Sequence, residues 1–453
     1  MAQCYITFYH NNDTNLKGRL RNRTDFCQQR VTQPLSSLLT LICTVKLMKR
    51  NHVKLTVTTL FLIIAFTAAP TTAAARTPTQ QQIPDAVTRG VTWLASVQNQ
   101  ENSPFWTSFG QEYYESIEGL LDGGWGITLN DYGLPYPHSS TMDTAMAIIG
   151  FAFANVPGTA PLIETAADWL VENQNSDGSW SWEYIIASKE FQGLPNLVST
   201  YMGTMGLMFA SPFVVPEKAQ TYIYRVADAL NWIVGARNSE GVWGFSPFLL
   251  QQSDTLITGV TTSTLCLAKL NGLQVNGMDE AIEAGVNYIL ETQEKTGGWK
   301  NNRGSWSSWV QQMQGQAPRP YPTTECLIAL LRFQTLVKAG EFSAGWNRQL
   351  QSSIVHGLQW VGAHNLDDLN QFKQTRDVVD TLVVFEFAKQ LGAHISWQRY
   401  TGELANAVDW VINTQGDLSN PSDWGWGQTG LSGMDTIFDT AFAAASLAGW
   451  LNN

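Results

Sequence analysis

Cysteine is scarce, and its placement excludes a disulfide framework. The 453 residues contain five cysteines; Cys4, Cys27 and Cys43 precede residue 48, and Cys266 and Cys326 follow it, each inside an apolar helical stretch. Two buried thiols are the expected outcome, with a bridge between them the alternative in an exported chain. Histidine is also sparse. The six histidines, two of them the early His10 and His52, show no metal-ligand spacing, so no metal is expected. Gly-x-Ser-x-Gly, His-Glu-x-x-His, Cys-Gly-Glu-Gln and a glycine-rich phosphate loop are all missing. These absences remove a nucleotide, a metal or another bound group from the expected cofactors.

Positive charge is short as well, and much of it lies near the start. Lys49, Arg50 and Lys54 precede an apolar run, Leu55 to Ala69, and Ala73-Ala74-Ala75 supplies small residues before Arg76. That order of segments reads as a secretory signal over residues 48–75, cleaved near Ala75. The apolar run contains threonines and is shorter than the roughly 20 residues that span a bilayer. Residues 1–47 lie upstream of a signal, where none is needed, so Met48 reads as the start and residues 1–47 as a mis-called extension. The remaining segment, 76–453, then reads as one domain exported to the periplasm or the extracellular space. It holds 18 basic against 36 acidic residues, a surface that repels nucleic acid and anionic membranes. A small apolar ligand or a neutral glycan is the partner class that remains. No further apolar run is long enough to span a membrane.

What the segment has in abundance is repetition. An aromatic residue, an aliphatic neighbour and, five positions after the aromatic, an amide or Arg recur six times: Trp93-Leu94 with Gln98, Trp169-Leu170 with Gln174, Trp232-Ile233 with Arg237, Tyr288-Ile289 with Gln293, Trp360-Val361 with Asn365, and Trp410-Val411 with Gln415. Apolar residues at helical spacing precede each phrase, so each closes a helix. A Gly-Trp turn follows most copies: Gly124-Trp125 after an insertion, then Gly178-Ser179-Trp180, Gly241-Val242-Trp243, Gly298-Trp299 and Gly425-Trp426; the fifth copy has no Trp. Gly suits the positive φ that ends a helix, and Trp offers a large surface to bury. A second, more apolar helix follows, opening at Asp143-Thr144, Gly203-Thr204, Ser263-Thr264, Thr324-Glu325, Asp380-Thr381 and Asp439-Thr440. These openings are spaced 60, 60, 61, 56 and 59 residues apart. Most begin with Asp, Ser or Thr, which suit helix N-caps. The spacing predicts an all-α fold, an α6/α6 toroid of six helix pairs, with apolar helices inside and amphipathic ones outside.

The Gln, Gly and Trp pattern, best in Asn173 to Trp180, resembles the QW repeat of squalene–hopene cyclases and other class II terpenoid cyclases. The β-subunits of protein prenyltransferases resemble it in fold. The resemblance implies a toroid, an isoprenoid substrate and proton-initiated cyclisation, an isomerase or lyase activity, from an Asp-x-Asp-Asp-Thr-Ala motif whose middle Asp is the acid. Three stretches keep the tail of that motif but not the acid: Met142 stands before Asp143-Thr144-Ala145, Val379 before Asp380-Thr381, and Phe438 before Asp439-Thr440-Ala441. Prenyltransferases hold zinc with an Asp two residues before a Cys; neither cysteine here has one, so a zinc prenyltransferase is not expected.

In such a toroid the starts of the inner helices gather at one mouth, the default ligand site. Asp143, Asp377, Asp380 and Asp439 are therefore the candidate catalytic carboxylates, since close carboxylates can divide acid and base roles. The competing role is plain helix capping. Arg376 and Asp435 flank them, and His138 ends the long aromatic insertion that leads to Asp143. Trp306, Trp309 and Tyr321 lie in an irregular stretch suited to stacking or cation–π contact. The sequence thus supports an exported, terpene-cyclase-like toroid holding an apolar isoprenoid-like ligand, with one mouth aspartate as a non-standard acid. An exported polysaccharide lyase or glycoside hydrolase on a similar toroid is one alternative. A non-catalytic binding or scaffold repeat is the other.

Overall fold

The computed structural model describes residues 78–100, 121–126, 139–181, 193–248, 252–300, 320–366, 369, 374–393, 395–416, 425–426 and 436–451. All of them lie in one compact unit, Phe66–Asn453; the other unit, Met1–Ala65, contains none of them. His138, Trp306, Trp309 and Asp435 lie outside the described residues.

Helices alternate along the described chain in six pairs: α1 (Pro78–Ser96) with α2 (Thr141–Ala154), α3 (Ala160–Glu172) with α4 (Leu197–Ala210), α5 (Pro216–Gly235) with α6 (Thr255–Leu270), α7 (Met278–Thr292) with α8 (Pro320–Ala339), α9 (Asn347–Val361) with α10 (Thr375–Gln390), and α11 (Trp397–Asn413) with α12 (Ile437–Leu451). The even-numbered helices form the inner ring. Each packs on the next, from α2 through α4, α6, α8 and α10 to α12, and α12 packs back on α2, so the ring closes. Among the described residues the β-pairing is a single bridge, Ser181 to Pro195. The odd-numbered helices are amphipathic. In α11 the buried residues are Tyr400, Leu404, Ala407, Val408, Val411 and Ile412, one stripe at helical spacing, as expected for an outer helix with one face in water. Inner helices such as α6 are buried over nearly their whole length.

The recurring phrase explains how each pair is clamped. Trp125, Trp180, Trp243, Trp299 and Trp426 are fully buried. Each indole N–H donates to a carbonyl near the end of the preceding outer helix: Leu94, Leu170, Ile233, Ile289 and Val411 respectively, at 2.6–2.9 Å. Each Trp backbone N–H donates to a Thr hydroxyl of the following inner helix: Thr144, Thr200, Thr258, Thr323 and Thr440. One residue therefore ties both helices of a pair while burying an aromatic surface that contributes roughly 5 kcal/mol. In the fifth copy Asn365 takes over, donating to Thr381 Oγ1 at 2.7 Å.

The amide of the phrase links neighbouring outer helices. Gln98, Gln174 and Gln293 donate to their own turns and also to Leu162, Arg225 and Ser353 on the next outer helix. Gln415 performs the closing link, donating to Ala86 O on α1 and accepting from Arg89 at 2.8 and 3.0 Å. The turn glycines are doubly required. Gly178 and Gly297 have φ of +91° and +101°, and a Cβ on either would sit 2.5 or 2.4 Å from a backbone oxygen of the next outer helix, at Asp228 or His356.

The Thr–Trp bonds correct the register of three copies. The equivalent threonines are Thr144, Thr200, Thr258, Thr323, Thr381 and Thr440, so the second to fourth inner helices open earlier than Gly203, Ser263 and Thr324. Threonines that recur inside these helices, Thr204, Thr261, Thr262 and Thr264, imitate the opening residue. The caps also differ from expectation. Ser140, Asn196 and Asp254 are N-caps, each accepting an N–H from the residue three positions on. Asp143 and Asp439 sit at the third helical position and accept from Ser140 and Thr436, while returning their own N–H to those hydroxyls. In both pairs the hydroxyl caps the helix and the carboxylate holds that hydroxyl, while the cap's own N–H donates to the carbonyl of Trp125 or Trp426. No helix among the described residues is long and apolar enough to cross a membrane. Cys266 and Cys326 are free and buried.

Candidate functional site

Buried inner helices keep partial exposure on one face. On α8, between Tyr321 and Arg332, the residues that keep it are Tyr321, Glu325, Ile328 and Arg332. That spacing of four, three and four is one helical stripe. Outer and neighbouring inner helices cover the other faces, so this stripe looks onto the barrel axis. The corresponding stripes carry Met142 and Phe153 on α2, Val198, Met205 and Phe209 on α4, Leu256 and Leu267 on α6, Val383 and Phe387 on α10, and Phe442 on α12. The lumen is therefore largely aliphatic and aromatic, with Phe153 and Phe209 in ring contact at 5.2 Å. Polar groups enter it mainly from α8 and from the start of α10.

At the mouth these groups form one cluster. Arg376 lies 3.5 Å over the Tyr321 ring and 5.7 Å from that of Phe442. Its Nε is 3.7 Å from Asp380 Oδ2. Tyr321 hydrogen-bonds Tyr201 of α4. Desolvation works against the charge on Arg376, yet Tyr321, Asp380 and Glu325 together raise its pKa, so it stays a cation. Burial drives the Asp380 carboxyl well above the ordinary carboxylate range; Arg376 opposes this, while Glu325, Asp377 and Asp439 add to it. Burial likewise raises Glu325 against the pull of Arg376 and Arg332. Asp143 is raised to about 7, chiefly by burial and in small part by Asp439. Asp439 is raised for the same first reason. The mouth sets several carboxyls, each shifted by burial towards its protonated form, about one guanidinium, an arrangement suited to donating a proton into an apolar space.

Of the residues singled out from sequence, Tyr321, Arg376, Asp377 and Asp380 meet here, and Asp143 and Asp439 join them electrostatically through adjoining helix starts. Four residues escaped notice as site members. Tyr201 and Glu325 contribute to the mouth; Asp254 is the buried cap of α6, its pKa raised to about 7 by burial; Arg332 lies deeper on the α8 stripe. The signal that could have found Glu325 and Arg332 is a charge at an otherwise apolar inner-helix register. Among the described residues no group of three or more His, Cys, Asp or Glu side chains could hold a metal.

No family model matches the chain. A squalene–hopene cyclase of Zymomonas mobilis subsp. mobilis is 24% identical over 236 residues, 49% of this chain and 33% of that enzyme. The match thus spans about a third of the relative's length. Among solved structures, the GH76 α-mannanase of Bacteroides thetaiotaomicron superposes with a TM-score of 0.51 at 12% identity, covering 77% of this chain and 97% of its own. The type II terpene cyclase MstE from Scytonema, in complex with geranylgeranyl dihydroxybenzoate, superposes with a TM-score of 0.49 at 13% identity, covering 83% and 99%. The mannanase superposition speaks for the α/α barrel alone. With the sequence similarity to squalene–hopene cyclase and the closed ring of six helix pairs, the chain is a terpenoid-cyclase-like α/α toroid.

Proposed function

We propose that this toroid is exported, binds an apolar, isoprenoid-like ligand in its lumen, and acts on it as a cyclase with a non-standard acid. The observation that carries the reading is an aliphatic and aromatic lumen bordered at one end by carboxyls whose pKa burial raises. The position of the missing acid, two residues before the Thr that bonds the turn in each repeat, carries Met142, Val379 and, on the helix α8, Tyr321. Glu325 and Asp380 flank Arg376 beside it and take over as the acid pair. In the proposed step one of these carboxyls adds its proton to an alkene of the ligand. The resulting cation closes rings along the chain and loses a proton at the end, so the product is an isomer of the substrate. The phenyl faces of Phe442 and Phe387 suit a passing cation. The similarity to squalene–hopene cyclase supports this substrate class. Export is proposed from the basic, apolar and small-residue segments between Lys49 and Ala75.

Lipids that co-purify with the protein are identified by mass spectrometry, and the protein is incubated with squalene and with geranylgeraniol. Cyclic isomers are expected, with Asp380→Asn and Glu325→Gln reducing their formation by about 100-fold while keeping the wild-type melting temperature. A protein that carries no lipid and converts neither substrate refutes the reading. Release of mannose from an α-mannan would instead favour the glycoside hydrolase alternative.

A further inference from the structure

Arg332 is a half-buried cation on the lumen stripe of α8 that forms no ion pair among the described residues. Its Nη1 donates to Ser263 Oγ at 2.6 Å and to Ser263 O at 3.3 Å. Its Nε has no hydrogen-bond partner. The Phe387 ring lies 6.0 Å from the guanidinium. No carboxylate lies within ion-pair distance of it among the described residues. Lys218, Lys269 and Lys300, by contrast, each meet at least one. Burial lowers the Arg332 pKa only to about 10, with Glu325 opposing the shift, so the group is charged at neutral pH. Glu325 is two helical turns away on the same stripe and acts on Arg332 as a longer-range attraction, not as an ion pair. An uncompensated guanidinium in an apolar interior is costly, and a chain built only for packing has no reason to retain it.

We propose that Arg332, with Ser263, anchors an anionic head group, a carboxylate or a phosphate, on an otherwise apolar ligand in the lumen. The guanidinium fork suits both anions. This rests on the lumen-ligand reading above and adds a polarity to it. Seven residues of helix separate Glu325 from Arg332, a rise of roughly 10 Å. A ligand held by its head at Arg332 therefore extends its apolar tail towards the Glu325 and Asp380 mouth, which puts a tail alkene, rather than the head, beside the acid pair.

Calorimetric titration of the full chain with farnesoic acid, farnesyl monophosphate and farnesol tests this. At least one anion is expected to bind about tenfold or more tightly than the alcohol, because hydrogen bonds to a desolvated charge are strong. Arg332→Met is expected to erase that preference, leave farnesol affinity within about twofold, and not lower the melting temperature. Should Arg332→Met fail to fold, Arg332→Lys serves, with a reduced anion preference at wild-type melting temperature. The ranking of acid against phosphate identifies the head group. Equal binding of all three by the wild type overturns the anchor and leaves the lumen reading intact. A preference that survives in Arg332→Met, or in Arg332→Lys at full strength, overturns it too. Binding of none of the three overturns both.

Discussion

Replacing Asp254 with Asn separates a cap from its charge. Asp254 is the N-cap of α6, with extended backbone (φ −121°, ψ 128°), and its side chain accepts the Ile257 N–H at 3.0 Å. Asn caps as well as Asp does, so the bond survives the change. Ionisation does not survive it. The folded carboxyl is raised by burial to about 7 from an ordinary 3.8. Below about pH 4 the group is neutral in folded and unfolded chains alike. As pH climbs from there to about 7, the unfolded chain releases the proton and the folded chain keeps it. Folded stability therefore falls with rising pH across this window, by about 1.4 kcal/mol per unit, and levels off above it. Over roughly three units the ceiling is on the order of 4 kcal/mol. Asp254→Asn removes that loss. Urea midpoints measured for both proteins at pH 4, 6 and 8 are compared, so that all other titrations cancel. The proteins should match at pH 4, with the variant ahead by a few kcal/mol at pH 8. A gap that does not change with pH, or a variant weaker at pH 8, would refute the reasoning, because the carboxyl would then be ionised and held by a partner.

Gly297→Ala should destabilise by about 2–3 kcal/mol, combining positive-φ strain with a clash against His356 O; Gly158→Ala, at φ +90° with nothing within 4 Å of the new Cβ, should show the strain alone, about 1 kcal/mol. Denaturant midpoints of the two variants measure the difference. Gln415→Ala should loosen the seam between α11 and α1 by about 2 kcal/mol, since Arg89 and Ala86 O both lose a partner, and amide exchange in α1 should accelerate more than in α7. Trp243→Phe should cost about 2 kcal/mol through the lost bond to Ile233 O and the smaller ring, seen as a lower melting temperature.

The toroid was readable because the physical demand repeats in every copy. Each pair needs a turn glycine, an indole to clamp two helices and an amide to reach the next pair. Trp125, Trp180, Trp243, Trp299 and Trp426 stand where those needs coincide. The register of the inner helices was less readable, because Thr200 and Thr204 lie one turn apart and either could open a helix by pattern. Only the bond from the Trp180 N–H chooses Thr200. Ring closure between α12 and α2 has no local signature at all; it depends on contacts between the two ends of the domain. The caps were readable in principle, from Ser140-Thr141-Met142-Asp143 and Thr436-Ile437-Phe438-Asp439, but the likeness of Asp143-Thr144-Ala145 and Asp439-Thr440-Ala441 to the catalytic motif masks the hydroxyls that these carboxylates bond.

A repeat chain contains its own comparison, and that comparison separates packing from function. At the register of Glu325, the other inner helices carry Met146, Met202, Val260, Val383 and Phe442. At the register of Arg332, the other inner helices carry Phe153, Phe209, Leu267, Gln390 and Gly449, none of them charged. Helices that do the same packing work with uncharged residues show that packing does not call for a charge there. A charge kept at such a register costs stability, so its retention needs a purpose that the fold does not supply. Asp143 and Asp439 fail this test, since each holds the capping hydroxyl, Ser140 or Thr436, that its helix uses. Glu325 and Arg332 pass it, and they share the lumen stripe of a single helix. The search for chemistry in this toroid therefore belongs on α8, with Arg376 and Asp380 facing it from α10, more than at the aspartates that resemble the motif.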